Sequence, residues 1–257
     1  MSTFVLSVCG DKHAERLDLS LKALKKYTKN DIIVVTSRVG IPIHHDQVVK
    51  YGADPKLNDV QCSRVLKTGL HRMIGDLDGI YCYLDTDVFP VSHNAPEIFS
   101  LYKPPITFGR DPGKTVKRFS RYATRKVPLN KAIKDQFKIE VNNDWPIWNG
   151  GVFLFDQQSA QFLDDWHHHT TSIFGDRHWA DRDQGTLIAT VWKHKLQNHY
   201  TLPREFNWLH KLQGGLRPNE HGFHVKNGGE VKFLHFPVSY ASPSSQSWAN
   251  LIRILDE

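Results

Sequence analysis

The sequence predicts an α/β fold in which helices flank a sheet, within a single domain spanning residues 1–257. Short runs rich in β-branched residues alternate with segments of helical spacing, which is the pattern of β-α-β units. The strand-like runs are apolar throughout, as is typical of strands buried between helices in a mostly parallel sheet. No repeat, low-complexity tract or clear boundary divides the chain.

The first three elements form a β-α-β unit. Residues 4–8 and 32–36 are apolar runs that predict strands, and the second of them is rich in β-branched residues. Between them, Leu17, Leu21 and Leu24 recur at helical spacing, which predicts an amphipathic helix. The chain therefore opens with two strands joined by a helix.

The remaining elements follow in the same manner. A helix is expected over residues 60–74, and it leads into the apolar strand Ile80–Leu84. Further strands are expected at residues 106–108, 151–155 and 233–236.

The end of the chain contains a loop and a last helix. Residues 209–230 are rich in Gly, Asn and His, which indicates a loop. Trp248, Leu251, Ile252 and Leu255 recur at helical spacing, so we expect a terminal helix that packs back on the body.

The net charge of +6 is concentrated in one segment. Between Arg110 and Glu140 there are ten Lys or Arg residues and three acidic residues, so the rest of the chain is nearly neutral. Few aromatic residues suited to base stacking accompany these cations, and we do not expect a nucleic-acid partner. This segment is either a solvated loop-and-helix face or a functional basic surface.

Cysteine usage and hydropathy indicate a reduced, soluble protein of the cytoplasm. Cys9, Cys62 and Cys82 are odd in number and show no CxxC spacing, which argues for free thiols. No stretch approaches the roughly 20 apolar residues that cross a bilayer. The first residues lack the basic region of a secretory signal.

Two carboxylates follow the strand Ile80–Leu84 directly. Asp85 and Asp87 flank Thr86, and in extended chain their side chains point to the same side. In open α/β sheets ligands bind beyond the carboxyl ends of strands, and a divalent cation removes the repulsion of two close carboxylates. The segment predicts a metal site, although Asp is also common in turns.

Three further segments carry polar residues next to predicted elements. Gly150 and Gly151 precede a strand, where glycine permits either a close approach to a ligand or a tight turn. Asp183 lies at the start of a predicted helix. Its carboxylate is either functional or a partner of the helix N-terminus, as a cap or through the helix dipole. His235 ends an apolar strand and is either a metal ligand or a structural histidine.

The order of these motifs carries a family resemblance. A β-α-β unit, strand-DTD, NGGVFLF, DRDQGTL, LPREFNW and KFLHF follow one another along nearly the whole chain. This order resembles that of the GT-A glycosyltransferases, and in particular glycosyltransferase family 8, which includes glycogenin-like and lipopolysaccharide galactosyltransferase-like enzymes. The resemblance implies a Rossmann-like nucleotide-binding mixed sheet, with residues 1–108 as the nucleotide-sugar half and residues 109–257 as the acceptor half.

The resemblance also implies roles for particular residues. A metal ion, Mn²⁺ or Mg²⁺, is expected between Asp85, Asp87 and His235, where oxygen ligands suit either ion and the imidazole favours Mn²⁺. Catalytic roles are implied for Asn149 in the cleft and for Asp183 and Gln184 beside the transferred sugar. The residues implied in donor and metal binding are Val8, Cys9, Gly10, Arg64, Asp85, Thr86, Asp87, Gly150, Gly151 and His235.

The function implied is transfer of a hexose from a nucleotide-sugar, with a UDP-sugar favoured, to a glycan, lipid or protein acceptor. The metal would stabilise the departing nucleoside diphosphate. The resemblance favours retention at the sugar carbon, whereas inversion would need a base such as Asp183 or Asp181. The basic segment from Arg110 to Glu140 could then cover the donor diphosphate, meet an anionic acceptor or touch a membrane surface.

Two other function classes fit parts of the sequence. A metal-dependent nuclease or other phosphate-ester enzyme could use Asp85, Asp87 and Asp183, with the basic segment along a phosphate backbone. A non-catalytic sugar-binding module would explain seven Trp and eight Tyr, but not the acidic pair. A phosphate-binding loop at residues 109–115 fails on spacing, because three residues separate its glycines instead of four.

Overall fold

The computed structural model describes residues 1–210, 216–219, 222–225, 229–236 and 246–256. The strands of these ranges form a seven-stranded sheet, a three-stranded sheet and a hairpin. In chain order they are β1 Ser2–Cys9, β2 Asp31–Ser37, β3 Val48–Lys50, β4 Ile80–Leu84, β5 Val88–Pro90, β6 Ile106–Thr115, β7 Pro146–Phe155, β8 Thr201–Leu202, β9 Trp208–Leu209, β10 Leu216–Asn219, β11 Gly222–Val225 and β12 Phe233–His235.

Helices cover both faces of the large sheet. The α-helices of the described ranges are α1 Asp11–Tyr27, α2 Asp59–Gly69, α3 Val116–Ala123, α4 Leu129–Phe137, α5 Ala160–Ser172, α6 Asp183–Lys193 and α7 Gln246–Asp256. Short 3-10 helices occupy Leu70–Arg72, Ala95–Leu101, Gln157–Ser159 and Arg204–Phe206. None of these helices combines the length and the apolar composition that a bilayer crossing requires.

The large sheet has the strand order β3-β2-β1-β4-β7-β6-β8. β1 pairs in parallel with β2 and with β4, which confirms the β-α-β opening. The sheet is mixed, because β7 runs antiparallel to both β4 and β6. The antiparallel return places the middle of β7 beside the carboxyl end of β4, where Asp85 N–H donates to the Gly151 carbonyl at 2.9 Å.

The sheet is buried on both faces, which explains why its strands are apolar throughout. On one face Phe4 and Leu6 pack with Leu17 and Leu21 of α1. On the other face Val5 belongs to a core that also contains residues of α2, α5 and α6. Because successive side chains of a strand point to opposite faces, an alternating pattern would have left one face exposed.

The second sheet has the order β5-β12-β9. The strand predicted at residues 233–236 therefore lies outside the large sheet, where it pairs antiparallel with β5 and in parallel with β9. The terminal helix is confirmed as α7, and its Leu251 and Leu255 are buried. Trp248 stacks edge-on against Phe89, so α7 covers the second sheet.

Two sequence expectations need correction. The helix expected over residues 60–74 ends at Gly69 and continues as a 3-10 turn. The loop expected at residues 209–230 contains the antiparallel pair β10 and β11, which is anchored by the buried side chain of Phe223; residues 211–215, 220–221 and 226–228 lie outside the described residues. The three cysteines are free, as expected, and fully buried.

Candidate metal centre

Asp85, Asp87 and His235 converge at one point. Asp85 follows β4, Asp87 precedes β5, and His235 ends β12, which pairs with β5 so that His235 lies opposite Val88. Each of the three residues offers one ligand atom, and these atoms lie within 4.8 Å of one another. The trio is thus brought together by two separate sheets, although 147 residues of chain lie between Asp87 and His235.

Gly151 makes room for this trio. A Cβ atom at Gly151 would lie 2.5 Å from His235 Cε1 and 3.1 Å from Asp85 Oδ2. Gly150 and Gly151 lie within strand β7 and have no positive φ, so the tight-turn interpretation of this segment is wrong. The glycine is needed because the side chains of His235 and Asp85 lie directly over the backbone at this position.

Two asparagines orient the imidazole of His235. The Asn207 Oδ1 atom lies 2.9 Å from His235 Nδ1, so this nitrogen carries the proton and donates to the amide oxygen. Asn207 Nδ2 donates to Asn149 Oδ1 at 3.0 Å, and Asn149 Oδ1 also accepts from Gly151 N–H. Since Nδ1 is engaged, the His235 Nε2 atom is directed to Asp87 Oδ1, 3.4 Å away. Partners of this kind hold a metal-binding imidazole in one tautomer and one orientation.

Lys67 forms ion pairs with Asp85 of the trio and with Asp183 beside it. Its Nζ atom lies 3.0 and 3.1 Å from the two oxygens of Asp85 and 3.0 Å from Asp183 Oδ2, and its side chain is 4% exposed. Burial opposes the ammonium charge, but Asp183 and Asp85 outweigh it and raise the pKa of Lys67 above its usual value. The Tyr83 hydroxyl donates to Asp85 at 2.8 Å. Lys67 is therefore a fixed cation within the site.

Asp183 is the first residue of α6 and is held by two cations. Its carboxylate contacts Arg64 Nε at 3.1 Å and Lys67 Nζ at 3.0 Å. Burial alone would raise the pKa of Asp183, but the Arg64 and Lys67 charges hold it well below its usual range. Asp183 follows the N-cap residue Arg182, where the helix dipole also favours a carboxylate. Such a group stays ionised and is a weak proton acceptor.

A second polar group faces the trio across a cavity. Asp111 is a buried residue of β6, and its carboxylate accepts from Gln184 Nε2 at 2.8 Å and contacts Lys114 Nζ at 3.2 Å. The cavity between the two groups measures about 360 Å³. Its lining comprises Arg64, Lys67, Asp85, Asp111, Lys114, Phe119, Tyr122, Asn149, Gly151, Arg182, Asp183, Gln184, Leu209 and His235.

Seven of the predicted site residues line this cavity, namely Arg64, Asp85, Asn149, Gly151, Asp183, Gln184 and His235. Asp87 is not among the lining residues, although its carboxylate lies close to the ligand atoms of the other two candidate ligands. Gly150 lies behind the wall, where an added Cβ would be 3.4 Å from Lys67 Nζ. The Thr86 carbonyl accepts from the Ser20 hydroxyl, 2.8 Å away.

The segment Val8 to Gly10 is not part of the cavity lining, and its role in donor binding stays a prediction. Its place at the end of β1 is as expected, since β1 runs parallel to β4 and both strands end at the same edge of the sheet. The side chains of Val8 and Cys9 are buried in the core, so a ligand at this edge could reach the segment through its backbone only.

Sequence reasoning missed Lys67, Asn207, Asp111 and Lys114. A signal for Lys67 was present, because it follows Arg64 by three residues on one helix and therefore shares its face. Asn207 lies in the LPREFNW segment, and Asp111 and Lys114 lie in the rejected phosphate-loop segment.

The fold has a counterpart among solved structures. No protein-family model and no curated protein sequence matches the chain. The apo structure of the WbbM bifunctional glycosyltransferase matches with a TM-score of 0.59 and 13% sequence identity. The match covers 99% of this chain and 49% of that one, so the chain spans about half the length of WbbM. The chain therefore has a mixed, Rossmann-like α/β fold of the kind found in a glycosyltransferase.

Proposed function

We propose that this chain is a metal-dependent glycosyltransferase that moves a hexose from a nucleoside-diphosphate sugar, with UDP as the favoured nucleotide, to a carbohydrate-bearing acceptor. The observation that carries the proposal is the convergence of Asp85, Asp87 and His235 beside a polar cavity that Asp85 and His235 line. This convergence occurs on a fold shared with a glycosyltransferase. The order of motifs that resembles glycosyltransferase family 8 gives independent support from the sequence.

The residues present suit a divalent cation. Two carboxylates and one imidazole form the donor set, which accommodates Mn²⁺ better than Mg²⁺ because of the nitrogen ligand. His235 presents Nε2 to this point because Asn207 engages Nδ1, and Gly151 leaves the space between the ligands free of a side chain. When bound, the cation would offset the negative charge that develops on the departing nucleoside diphosphate.

The remaining charges hold the site in shape. Lys67 holds Asp85 in place through contacts to both of its carboxylate oxygens, and Tyr83 donates to the same carboxylate. Arg64 and Lys67 together fix Asp183 at the start of α6, with its carboxylate at the cavity wall. Groups fixed in advance position a donor without reorganisation at the moment of transfer.

The charge state of Asp183 supports retention at the sugar carbon. Inversion requires a carboxylate that takes the acceptor proton, and a base works best with a pKa near the working pH. The two ion pairs keep the pKa of Asp183 well below its usual range, so Asp183 is poorly suited to that task. Asp181 already accepts from Gln61 Nε2 at 3.1 Å. Asp183 and Gln184 act instead as positioning groups beside the transferred sugar.

The test is a panel of UDP-, GDP-, ADP- and TDP-sugars, each assayed with Mn²⁺ and with EDTA. We expect one donor to raise the thermal midpoint only with Mn²⁺, and the same donor to be hydrolysed slowly to the nucleoside diphosphate and free sugar. A sugar-binding module would leave every donor intact, and a nuclease would cleave DNA or RNA and ignore the sugars. Full donor hydrolysis in EDTA would overturn the metal-dependent mechanism.

A further inference from the structure

A basic groove leads away from the candidate metal centre along helix α3. A second cavity of about 1060 Å³ shares Asp111, Lys114 and Tyr122 with the cavity of the metal centre. A third cavity of about 680 Å³ shares Lys117, Arg121 and Asp144 with the second. Because they share these residues, the three cavities lie next to one another along α3. The cationic residues along the second and third cavities, here called the α3 groove, are Arg110, Lys114, Lys117, Arg118, Arg121 and Lys126.

The α3 groove carries a large excess of available positive charge. Asp111 and Asp144 are the two acidic residues of its lining, and Asp111 is already paired with Lys114. Arg110, Lys117 and Arg121 are exposed, and no carboxylate of the described ranges forms an ion pair with them. Exposed cations without a carboxylate partner are free to bind an external anion, and a concave wall strengthens their common field.

An aromatic ring marks the junction of the groove with the site. Tyr122 is 39% exposed and lines both cavities. The Arg121 guanidinium lies 4.8 Å from the centre of its ring and donates to the phenolic oxygen, which fixes the ring in place. A held aromatic face suits the apolar face of a sugar ring. Guanidinium groups beside it match the planar geometry of carboxylate and phosphate.

We propose that the α3 groove binds an extended anionic glycan, whose chain carries carboxylate or phosphate groups and whose end enters the metal-centre cavity as the acceptor. This inference rests on the proposed transferase function, because the groove opens into that cavity. A membrane surface is the less suitable partner. Among the described residues, Tyr122 is the only exposed large hydrophobic side chain that lines the groove, whereas a membrane-binding surface would need several.

The proposal is tested by calorimetric titration of the whole chain with four probes. These are hexagalacturonate for carboxylate, a poly(glycerol phosphate) hexamer for phosphate, neutral maltohexaose, and phosphatidylglycerol vesicles. We expect one or both anionic oligomers to bind, with an affinity that falls as NaCl is raised, and maltohexaose to bind far more weakly. The stronger of the two anionic oligomers identifies the charged group.

Charge reversal then locates the binding. Lys117→Glu with Arg121→Glu should weaken oligomer binding by about tenfold or more. The matched control is Lys29→Glu with Lys50→Glu, which makes the same change in net charge at exposed positions, with Lys50 at the opposite edge of the sheet. The control should bind as the unmodified chain does. Lys117→Ser alone gives a milder variant, with a smaller loss of the same sign.

Several results would contradict the proposal that the α3 groove binds an anionic glycan. Binding of vesicles without binding of the oligomers would favour a membrane partner, and equal loss in the control would mean non-specific attraction. If maltohexaose bound as tightly as the anionic oligomers, charge would not determine binding. Donor hydrolysis by the unmodified chain is measured separately, so a protein that binds anionic oligomers but cleaves no donor would contradict the proposed function and leave the groove intact.

Discussion

Gly151→Ala should disable the metal centre while leaving the fold in place. The added Cβ would lie 2.5 Å from His235 Cε1, whereas ordinary contacts between carbon atoms begin at about 3.5 Å. The imidazole must therefore move by roughly 1 Å. Such a shift breaks the 2.9 Å hydrogen bond from His235 to Asn207, which holds the ring in its tautomer. Crowding of this kind in a packed interior costs about 1–3 kcal/mol of stability.

The consequence is measured by titration of Mn²⁺ and by urea denaturation. Loss of ring orientation should weaken Mn²⁺ binding by about 10- to 100-fold, the range found when partners of a metal ligand are lost. Gly52→Ala is the matched control, because no atom lies within 4 Å of its added Cβ and its φ is not positive. Unchanged Mn²⁺ affinity in Gly151→Ala would contradict this prediction, because it would mean that the side chains over Gly151 do not hold the ion.

Three other predictions concern charge. Lys67→Met should lower the free energy of unfolding by about 3 kcal/mol in urea denaturation, because Asp85 loses its buried partner; a loss below about 1 kcal/mol would contradict it. Asp87→Asn should abolish the stimulation of donor hydrolysis by Mn²⁺, measured as release of the nucleoside diphosphate. If Mn²⁺ still stimulates hydrolysis in this variant, Asp87 is not a ligand.

Burial and Lys193 lower the pKa of His169 from 6.5 to about 4. The unfolded chain therefore binds the proton more readily, and stability is complete above pH 6.5 and falls as the pH drops toward 4. At pH 5 the loss due to His169 is about 2 kcal/mol, and His169→Gln should show that much less pH dependence in denaturant titrations. Equal pH dependence in both proteins would contradict the assignment.

The fold was largely predictable because its signals are local. Runs that are apolar on both faces identify buried strands, and the spacing of Leu17, Leu21 and Leu24 identifies the helix between the first two. The direction of β7 had no such signal, since an apolar strand reads alike in parallel and antiparallel pairing. The strand at residues 233–236 was predicted, but its place in a second sheet depends on β5 and β9, which are too short to be recognised from pattern.

The site was predictable in part for the same reason. Asp85 and Asp87 stand at the end of a strong strand signal, so their place at the sheet edge follows from position along the chain. Lys67 lies on a helix face where a lysine would ordinarily extend toward solvent, and only the packing of α2 against the sheet buries it. For Gly151, the local sequence permits a turn or a close approach. The pairing of β7 with β4 decides between them.

The proposed mechanism requires one divalent cation between Asp85, Asp87 and His235, facing the diphosphate of the donor. Anomalous diffraction at the manganese edge, from crystals soaked with MnCl₂ and UDP, would locate this cation. We expect a single strong peak in contact with both carboxylates and the imidazole, with the UDP phosphates on its open side. A peak elsewhere, or UDP bound in the cavity with no peak beside these three side chains, would contradict a metal site at Asp85, Asp87 and His235.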